Sequence, residues 1–187
     1  MSWSPPTSSP TRRSERALAG RPAGLSAVRV TLVAVGRRMP RWIASGVEEY
    51  ARRLPAHWSF SVREVREASG GNALSRTARE GELLLGAAAG GASRRAALPH
   101  LVALDERGRS HATADLAVRL GAWQELGRDV ALLVGGADGL HADVLARADE
   151  RWSLSPLTFP HPLVRVIVVE QLYRAWTLCT GHPYHRA

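Results

Sequence analysis

The chain has 187 residues, 25 basic and 17 acidic side chains, and a formal charge of +8 at pH 7. This length suits one compact domain, or one domain with a tail, and the 45% hydrophobic content excludes wholesale disorder. The single cysteine, Cys179, excludes an internal disulfide and a zinc site built from several cysteines. No apolar run reaches the roughly 18–20 residues that a membrane-spanning helix needs, so we expect no membrane partner.

All of the basic residues are arginine, and the chain contains no lysine. The composition therefore excludes a lysine Schiff base and the lysine of a P-loop. Arginine binds phosphate through paired N–H groups and stacks on bases, so a polyanionic partner is plausible. A GC-rich coding bias explains the same composition, so charge by itself does not decide the partner.

Residues 1–27 differ from the rest, because they are rich in Ser, Pro and Arg and lack apolar periodicity. Such a segment cannot bury enough surface to offset its ordering entropy, and it lacks the apolar stretch of a signal peptide. We expect a disordered extension, or a start codon assigned too far upstream; a transit peptide is a third reading. The folded domain is predicted to span residues 28–187, and the protein is predicted to be cytoplasmic.

From residue 28 onward, short apolar segments alternate with segments in which apolar residues recur at three- and four-residue spacing. Strands are predicted at residues 28–35, 58–65, 101–104, 130–134 and 152–155, and helices at 41–54, 76–89, 113–126, 141–148 and 162–179. Strands that alternate with helices form a parallel sheet with helices packed against it. We therefore predict an α/β fold with a mostly parallel sheet of five or six strands and helices on both faces.

Three loops follow predicted strands, where open α/β sheets bind ligands. They are LDERG (104–108), GGADGL (135–140) and LSPLTFPH (154–161). Glycines in the second loop let backbone N–H groups approach a ligand closely, but its spacing is not GxGxxG and no lysine follows, so a plain turn remains open. The third loop places polar groups beside large apolar side chains, which suits an adenine ring; an ordinary loop before the last helix is the alternative.

The last predicted helix is apolar on more than one face. Such a helix is buried on both sides, and in a domain of this size one side is expected to be a subunit interface, so we predict a homodimer. The tail brings together Tyr184, His185 and Arg186, residue types that stack on a base, move a proton and hold phosphate. Cys179, His182 and His185 are of zinc-ligand type, but a fourth ligand is not evident, so we predict no metal.

Five segments are distinctive together: VAVGRRMPRW, EEYARRLP, LVALDERGR, LVGGADGL and WSLSPLTFPHPLVRVIVVEQLYRAWTLCTGHPYHR. Through them, residues 28–186 resemble the family of 23S ribosomal RNA pseudouridine N3-methyltransferases (RlmH), of the SPOUT class. The resemblance implies a SPOUT-type α/β knot, in which the C-terminal segment threads a loop to form a trefoil knot, a rare exception to the usual topology rules. It also implies a homodimer that methylates N3 of a pseudouridine in the helix 69 hairpin of 23S rRNA, on the assembled 70S ribosome.

The resemblance further implies S-adenosyl-L-methionine as the cofactor, held by the three loops. The implied cofactor contacts are Leu104, Gly135, Leu154, Ser155, Pro156, Leu157, Thr158 and Phe159. Basic side chains near these loops are candidate RNA contacts: Arg37, Arg38 and Arg165. For Arg37 and Arg38 an ordinary surface pair on a loop is the alternative, and for Arg165 a structural ion pair within the helix packing is the alternative.

The C-terminal Tyr184, His185 and Arg186 belong to the active site if the resemblance holds. We predict that His185 removes or relays the N3 proton and that Arg186 positions a phosphate or a uracil oxygen, with His161 as the second candidate for the base. Two other functions stay open: an NAD-dependent oxidoreductase, and a non-catalytic ribosome-assembly factor on the same fold. The intact glycine loop and complete tail argue against the second.

Overall fold

The computed structural model describes residues 28–90 and 98–186, with the side chains of the last two of these left undescribed. The predictions for residues 1–27 therefore lie outside the described residues. The strands are β1 (Val28–Val35), β2 (Trp58–Val65), β3 (His100–Ser110), β4 (Val130–Val134) and β5 (Glu150–Ser153). The α-helices are α1 (Arg41–Ala51), α2 (Ala73–Ala89), α3 (Thr113–Glu125), α4 (Ala142–Arg147) and α5 (His161–Thr180), and a 3-10 turn, Pro183–Arg186, follows.

The five strands form one sheet in the order β2-β1-β4-β3-β5, and every pairing is parallel. Its central strands are nearly continuous apolar runs, and all five residues of β4 are buried. Runs of this kind are typical of parallel strands that are covered on both faces. The prediction of an α/β fold with a parallel sheet is confirmed.

Helices cover both faces of the sheet, as predicted. Leu32 and Leu132 lie in the core between the sheet and the layer that contains α1, α3 and α5. Their neighbours Val33 and Leu133 lie in a second core, formed with α2 and α4. The alternation follows from the strand geometry, because successive side chains point to opposite faces.

Strand β3 is longer than its predicted four residues and includes the whole LDERG segment. Both Leu104 and Arg109 are registered opposite Trp152, so residues 105–108 form a bulge without partners in β5. A Cβ on Gly108 would lie 2.5 Å from the backbone carbon of Trp152. Only glycine permits that approach, so the segment predicted as a loop is a bulge held against β5.

Helix α2 begins three residues before its predicted start, because Asn72 Oδ1 accepts a hydrogen bond from the Ser75 amide at 2.9 Å and caps the helix. Helix α5 ends at Gly181, whose φ of 68° is the left-handed conformation typical of a helix C-terminus. In residues 28–90 and 98–186, no helix has the length and apolar character to cross a membrane. The trefoil knot stays a prediction.

Candidate active site

The three predicted cofactor-binding segments lie side by side at one edge of the sheet. Leu104 in β3 is registered with Val134 in β4 and with Trp152 in β5. Gly135 and Leu154 follow these partners by one and two residues. Because parallel strands point their carboxyl ends to the same edge, the topology brings together loops that are separated by up to 50 residues in the chain.

The glycine loop after β4 turns back tightly on itself. The Gly139 amide donates a hydrogen bond to the Gly136 carbonyl at 3.1 Å, and these two residues form an antiparallel bridge. A Cβ on Gly135 would lie 2.5 Å from the Gly139 carbonyl oxygen, and Gly139 itself has a φ of 81°. Glycine at these positions is therefore required by the turn, which fixes the backbone at the edge of the sheet.

The loop after β5 carries apolar side chains on a backbone that two serine hydrogen bonds hold in place. Ser153 Oγ donates to the Ser155 carbonyl at 3.1 Å, and Ser155 Oγ accepts from the Leu157 amide at 2.9 Å. Leu157 is 72% exposed, whereas Leu154 and Phe159 are half-buried. An apolar surface next to exposed backbone is what a flat heteroaromatic ring needs.

Behind these loops, α5 carries a buried arginine. Arg165 is 1% exposed and donates through Nη1 to Glu64 Oε1 at 2.6 Å. Its Nη2 donates to the carbonyls of Val35 and Gly36, each at 2.7 Å. Since this guanidinium is enclosed by the protein, it does not fit the prediction of an RNA contact, and we withdraw Arg165 from that set. It ties the first turns of α5 to the ends of β1 and β2.

Removing this guanidinium is expected to destabilise the fold. Replacing Arg165 with methionine leaves two buried carbonyls and the Glu64 carboxylate without their donor, which lowers the free energy of unfolding by roughly 2–4 kcal/mol. Urea unfolding measures the loss, with exposed Arg52, which is paired only with a carboxylate on its own helix, replaced by methionine as the control. If Arg165→Met lowers the free energy of unfolding no more than the control does, the structural role of Arg165 is contradicted.

The second candidate base, His161, lies where α5 follows the cofactor loop. Its Nδ1 is buried and has no hydrogen-bond partner among the described residues. Burial lowers the pKa of His161, and the charge of Arg165 lowers it further, while Glu67 and Glu80 oppose the shift. The imidazole is therefore kept neutral, which is the form that accepts a proton.

Sequence analysis missed Glu80, which supports the same region from α2. It is 7% exposed, and its Oε1 accepts a hydrogen bond from the Ala68 amide at 2.9 Å. A Cβ on Gly136 would lie 3.0 Å from Glu80 Oε2, so the glycine makes room for the carboxylate. Its spacing is the signal that could have indicated its burial, because Glu80 lies on the same face of α2 as the buried Thr77 and Leu84.

The C-terminal turn packs against α5. The Tyr184 hydroxyl donates to Glu170 Oε1 at 3.2 Å, and its ring centroid lies 4.7 Å from that of Tyr173 and 5.0 Å from the Arg174 guanidinium. Burial raises the pKa of Tyr184 above its ordinary value, with further contributions from its hydrogen bond to Tyr50 and from the charge of Glu170. The phenol is therefore protonated at neutral pH and acts as a donor.

The tail and the cofactor loop of one chain lie apart. Glu170 and Arg174, which hold Tyr184, follow His161 by 9 and 13 residues in α5. At 1.5 Å per residue, Tyr184 lies roughly 14–20 Å along the helix axis from the start of α5. The structure thus brings Leu104, Gly135 and the 154–159 loop together but leaves the tail at a distance.

The remaining predicted contacts differ in their surroundings. Arg37 and Arg38 are exposed, directly after β1. Cys179 is exposed, and its Sγ lies 3.5 Å from the Ala117 carbonyl oxygen. Across the part of the chain that the structure describes, no three His, Cys, Asp or Glu side chains are arranged to hold a metal ion.

A parallel sheet covered on both faces, with two loops and the bulge after Leu104 meeting at its carboxyl edge, defines an α/β domain of the class that holds a nucleotide-like cofactor beyond its strand ends. A family model described as "Predicted SPOUT methyltransferase" matches residues 28–185. The chain belongs to the SPOUT methyltransferase family.

Similar proteins extend this assignment. The chain is 51% identical to "Ribosomal RNA large subunit methyltransferase H" of Thioalkalivibrio sulfidiphilus (strain HL-EbGR7), over 85% of this chain and 99% of that protein. A protein of the same name from Azotobacter vinelandii (strain DJ / ATCC BAA-1303) is 45% identical, over 85% and 100% of the two chains. Among solved structures, "a probable methylase family protein from Haemophilus influenzae Rd KW20" has a TM-score of 0.50 and 12% identity, over 86% of this chain and 70% of that one. That likeness supports the fold alone.

Proposed function

We propose that this protein transfers a methyl group from S-adenosyl-L-methionine to N3 of a pseudouridine in 23S rRNA, in the helix 69 hairpin of the assembled 70S ribosome. The observation that carries the proposal is the meeting of Leu104, the glycine loop and the 154–159 loop at one sheet edge in a member of this family. Relatives about half identical over nearly their whole length are named large-subunit rRNA methyltransferases, which supports the same substrate class. The same proposal includes a cytoplasmic location, because the ribosomes it would act on are there.

The residues at the sheet edge fit this cofactor. Leu154, Leu157 and Phe159 supply apolar faces for the adenine, beside the fixed backbone of Gly135 and the bulge after Leu104. When bound, the cofactor supplies an electrophilic methyl group on a positively charged sulfur. The loops orient that group and exclude water from it, so a nucleophile approaches along one line.

The reaction needs a base, because an imide nitrogen becomes a good nucleophile only after its proton leaves. We assign the removal or relay of the N3 proton to His185, the positioning of a phosphate or uracil oxygen to Arg186, and a supporting hydrogen bond to Tyr184. A positive guanidinium beside the deprotonated ring stabilises its developing charge. His161 is the second candidate for the base.

The site is complete in a homodimer, in our proposal. Tyr184 lies roughly 14–20 Å along α5 from the start of that helix, so the tail of one chain does not reach its own cofactor loop in this arrangement. Half-buried apolar residues along α5, such as Val164 and Ile167, support a subunit interface there. The tail of one subunit then serves the loop of the other.

Mixed dimers test this arrangement. His185→Ala removes the proposed base and Gly135→Ala disrupts the cofactor loop, so each variant alone is nearly inactive. After unfolding and refolding as an equal mixture, half of the dimers carry one of each chain and one intact site, which restores about a quarter of the wild-type activity. A mixture no more active than the two variants separately contradicts the shared site.

The proposed activity is tested by methyl transfer from labelled S-adenosyl-L-methionine to ribosomes from a strain that lacks the gene. We expect stoichiometric incorporation into 23S rRNA, and none when the target position carries uridine instead of pseudouridine. Calorimetry should show binding of the cofactor and not of NAD. Ribosome binding without methyl transfer contradicts the proposal and indicates the non-catalytic assembly factor.

A further inference from the structure

The arginines of this chain fall into two groups. Most of those whose side chains are described are engaged with carboxylates or carbonyls of the protein, as Arg76 is with Asp138 at 2.8 Å. Within residues 28–90 and 98–184, the arginines without an ion pair or hydrogen bond are Arg37, Arg38, Arg41, Arg66, Arg109 and Arg147. None of these guanidinium groups has a partner among the described residues, so we treat them as available to another molecule.

Four of the six are clustered at one edge of the sheet. Arg37, Arg38 and Arg41 lie between the end of β1 and the first turn of α1. Arg66 follows Val65, which is registered with Val35 and accepts a hydrogen bond from the Gly36 amide at 2.9 Å. All four are exposed. We call these four arginines, together with Trp42, the basic patch.

Trp42 is the exposed aromatic residue of the basic patch. It is the second residue of α1 and is 62% exposed, whereas the next residue, Ile43, is buried. Side chains on a helix lean toward its N-terminus, so this indole leans toward the segment that precedes α1 and contains Arg37 and Arg38. An exposed indole among unpaired guanidinium groups is suited to stacking on an unpaired base whose phosphates are held nearby.

The backbone immediately before the basic patch is held by hydrogen bonds to α5, the helix that follows the cofactor loop. The carbonyls of Val35 and Gly36, immediately before Arg37, are held by the buried Arg165 of α5. The nearby carboxylate of Glu64 is engaged by the same arginine, and the exposed Glu67 lies next to Gly36. Because α5 begins where the cofactor loop ends, the basic patch is positioned relative to the methyl donor.

We infer that the basic patch is an RNA-docking surface, on which Trp42 stacks against an unpaired nucleotide while Arg37, Arg38, Arg41 and Arg66 bind the flanking phosphates. The inference rests on the proposed function and names the surface by which the enzyme holds its rRNA. Four exposed positive groups and one exposed ring, on segments that meet at the ends of β1 and β2, match a polyanion with free bases. A protein partner at Trp42, including a second copy of this chain, is the competing occupant.

The tryptophan is tested by measuring the affinity for ribosomes from the strain that lacks the gene. Trp42→Ala should weaken binding roughly 5- to 150-fold, the range for loss of one stacked base. Trp42→Phe should recover most of the affinity, because a smaller ring still stacks. Calorimetry should show an unchanged affinity for S-adenosyl-L-methionine in both variants, since Trp42 lies outside the cofactor loops.

The arginines are tested through the salt dependence of the same binding. Replacing Arg37, Arg38 and Arg66 with glutamine should lower the slope of log K against log salt by roughly 2, at about 0.7 per lost contact to a single strand. The matched control removes the same charge elsewhere, at Arg29, Arg52 and Arg147, and should leave the slope close to that of the wild type.

The outcomes separate the surface from the proposed function. If the wild-type protein methylates ribosomes and the Trp42 and arginine variants bind them with full affinity, the RNA-docking surface is overturned and the proposed function is not. A change in the sedimentation coefficient of Trp42→Ala overturns it too, and identifies Trp42 as a subunit contact. Wild-type protein that neither binds nor methylates ribosomes overturns the proposed function and this inference together.

Discussion

Replacing His185 with alanine is expected to lower the single-turnover rate of methyl transfer by about 10²–10⁴-fold, the usual contribution of a general base. A histidine is suited to this task because its ordinary pKa of about 6.5 leaves it largely neutral, and able to accept a proton, at the pH of the cell. Without it, N3 must lose its proton to water. The affinity for S-adenosyl-L-methionine should stay unchanged, because the tail is proposed to act on the base and not on the donor.

A pH profile distinguishes a base from a residue that only supports the structure. As the pH rises, solution hydroxide produces more of the deprotonated nucleobase. The ratio of the wild-type methyl-transfer rate to that of His185→Ala should therefore fall. A ratio of the two rates that stays constant with pH indicates a structural role for His185. If His161→Ala shows the large, pH-dependent loss and His185→Ala does not, the base is His161.

Replacing Gly135 with alanine is expected to reduce kcat/KM for S-adenosyl-L-methionine by about 10²-fold, as follows when a positioned reactant moves by about 1 Å. The new Cβ would lie 2.5 Å from the Gly139 carbonyl oxygen and 2.6 Å from its carbon. These are backbone atoms of the same tight turn, so the whole glycine loop must move. Overpacking of this kind should also lower the free energy of unfolding by about 1–3 kcal/mol.

The matched control is Gly121→Ala, in the interior of α3, where a Cβ would have no atom within 4 Å. That change should stabilise the protein by roughly 0.5–1 kcal/mol, because alanine loses less backbone entropy than glycine in a helix, and should leave the kinetics unaltered. Gly135→Ala with wild-type kinetics and stability would falsify the assignment of the glycine loop as a rigid part of the cofactor site.

Periodicity along the chain predicted the regular elements well. Strands β1, β2 and β4 begin and end where predicted, because each is an apolar or β-branched run bounded by residues of another kind. The start of α2 was missed by three residues, since the cap at Asn72 depends on side-chain geometry. The bulge after Leu104 was missed as well, because it is defined by the pairing of Leu104 and Arg109 with Trp152 in β5, 48 and 43 residues later.

The one corrected site prediction, that of Arg165 as an RNA contact, also concerns distant contacts. Arg165 looks in the sequence like any arginine near a cofactor loop, and only the packing of α5 against the ends of β1 and β2 makes it an internal clamp. In the same way, nothing local distinguishes Arg37 and Arg38, which have no partner among the described residues, from Arg52 and Arg53, which are paired with Glu49. Ion pairing depends on which side chains folding brings together.

The sequence by itself determined the class of fold, the two loops after β4 and β5 and the family, because local spacing and contiguous motifs carry that information. The tertiary structure decided which residues share the cofactor edge, which arginines face outward and how far the tail lies from the loop. Strand order and helix packing join residues far apart in the chain, and the free energy of those contacts does not follow from local periodicity.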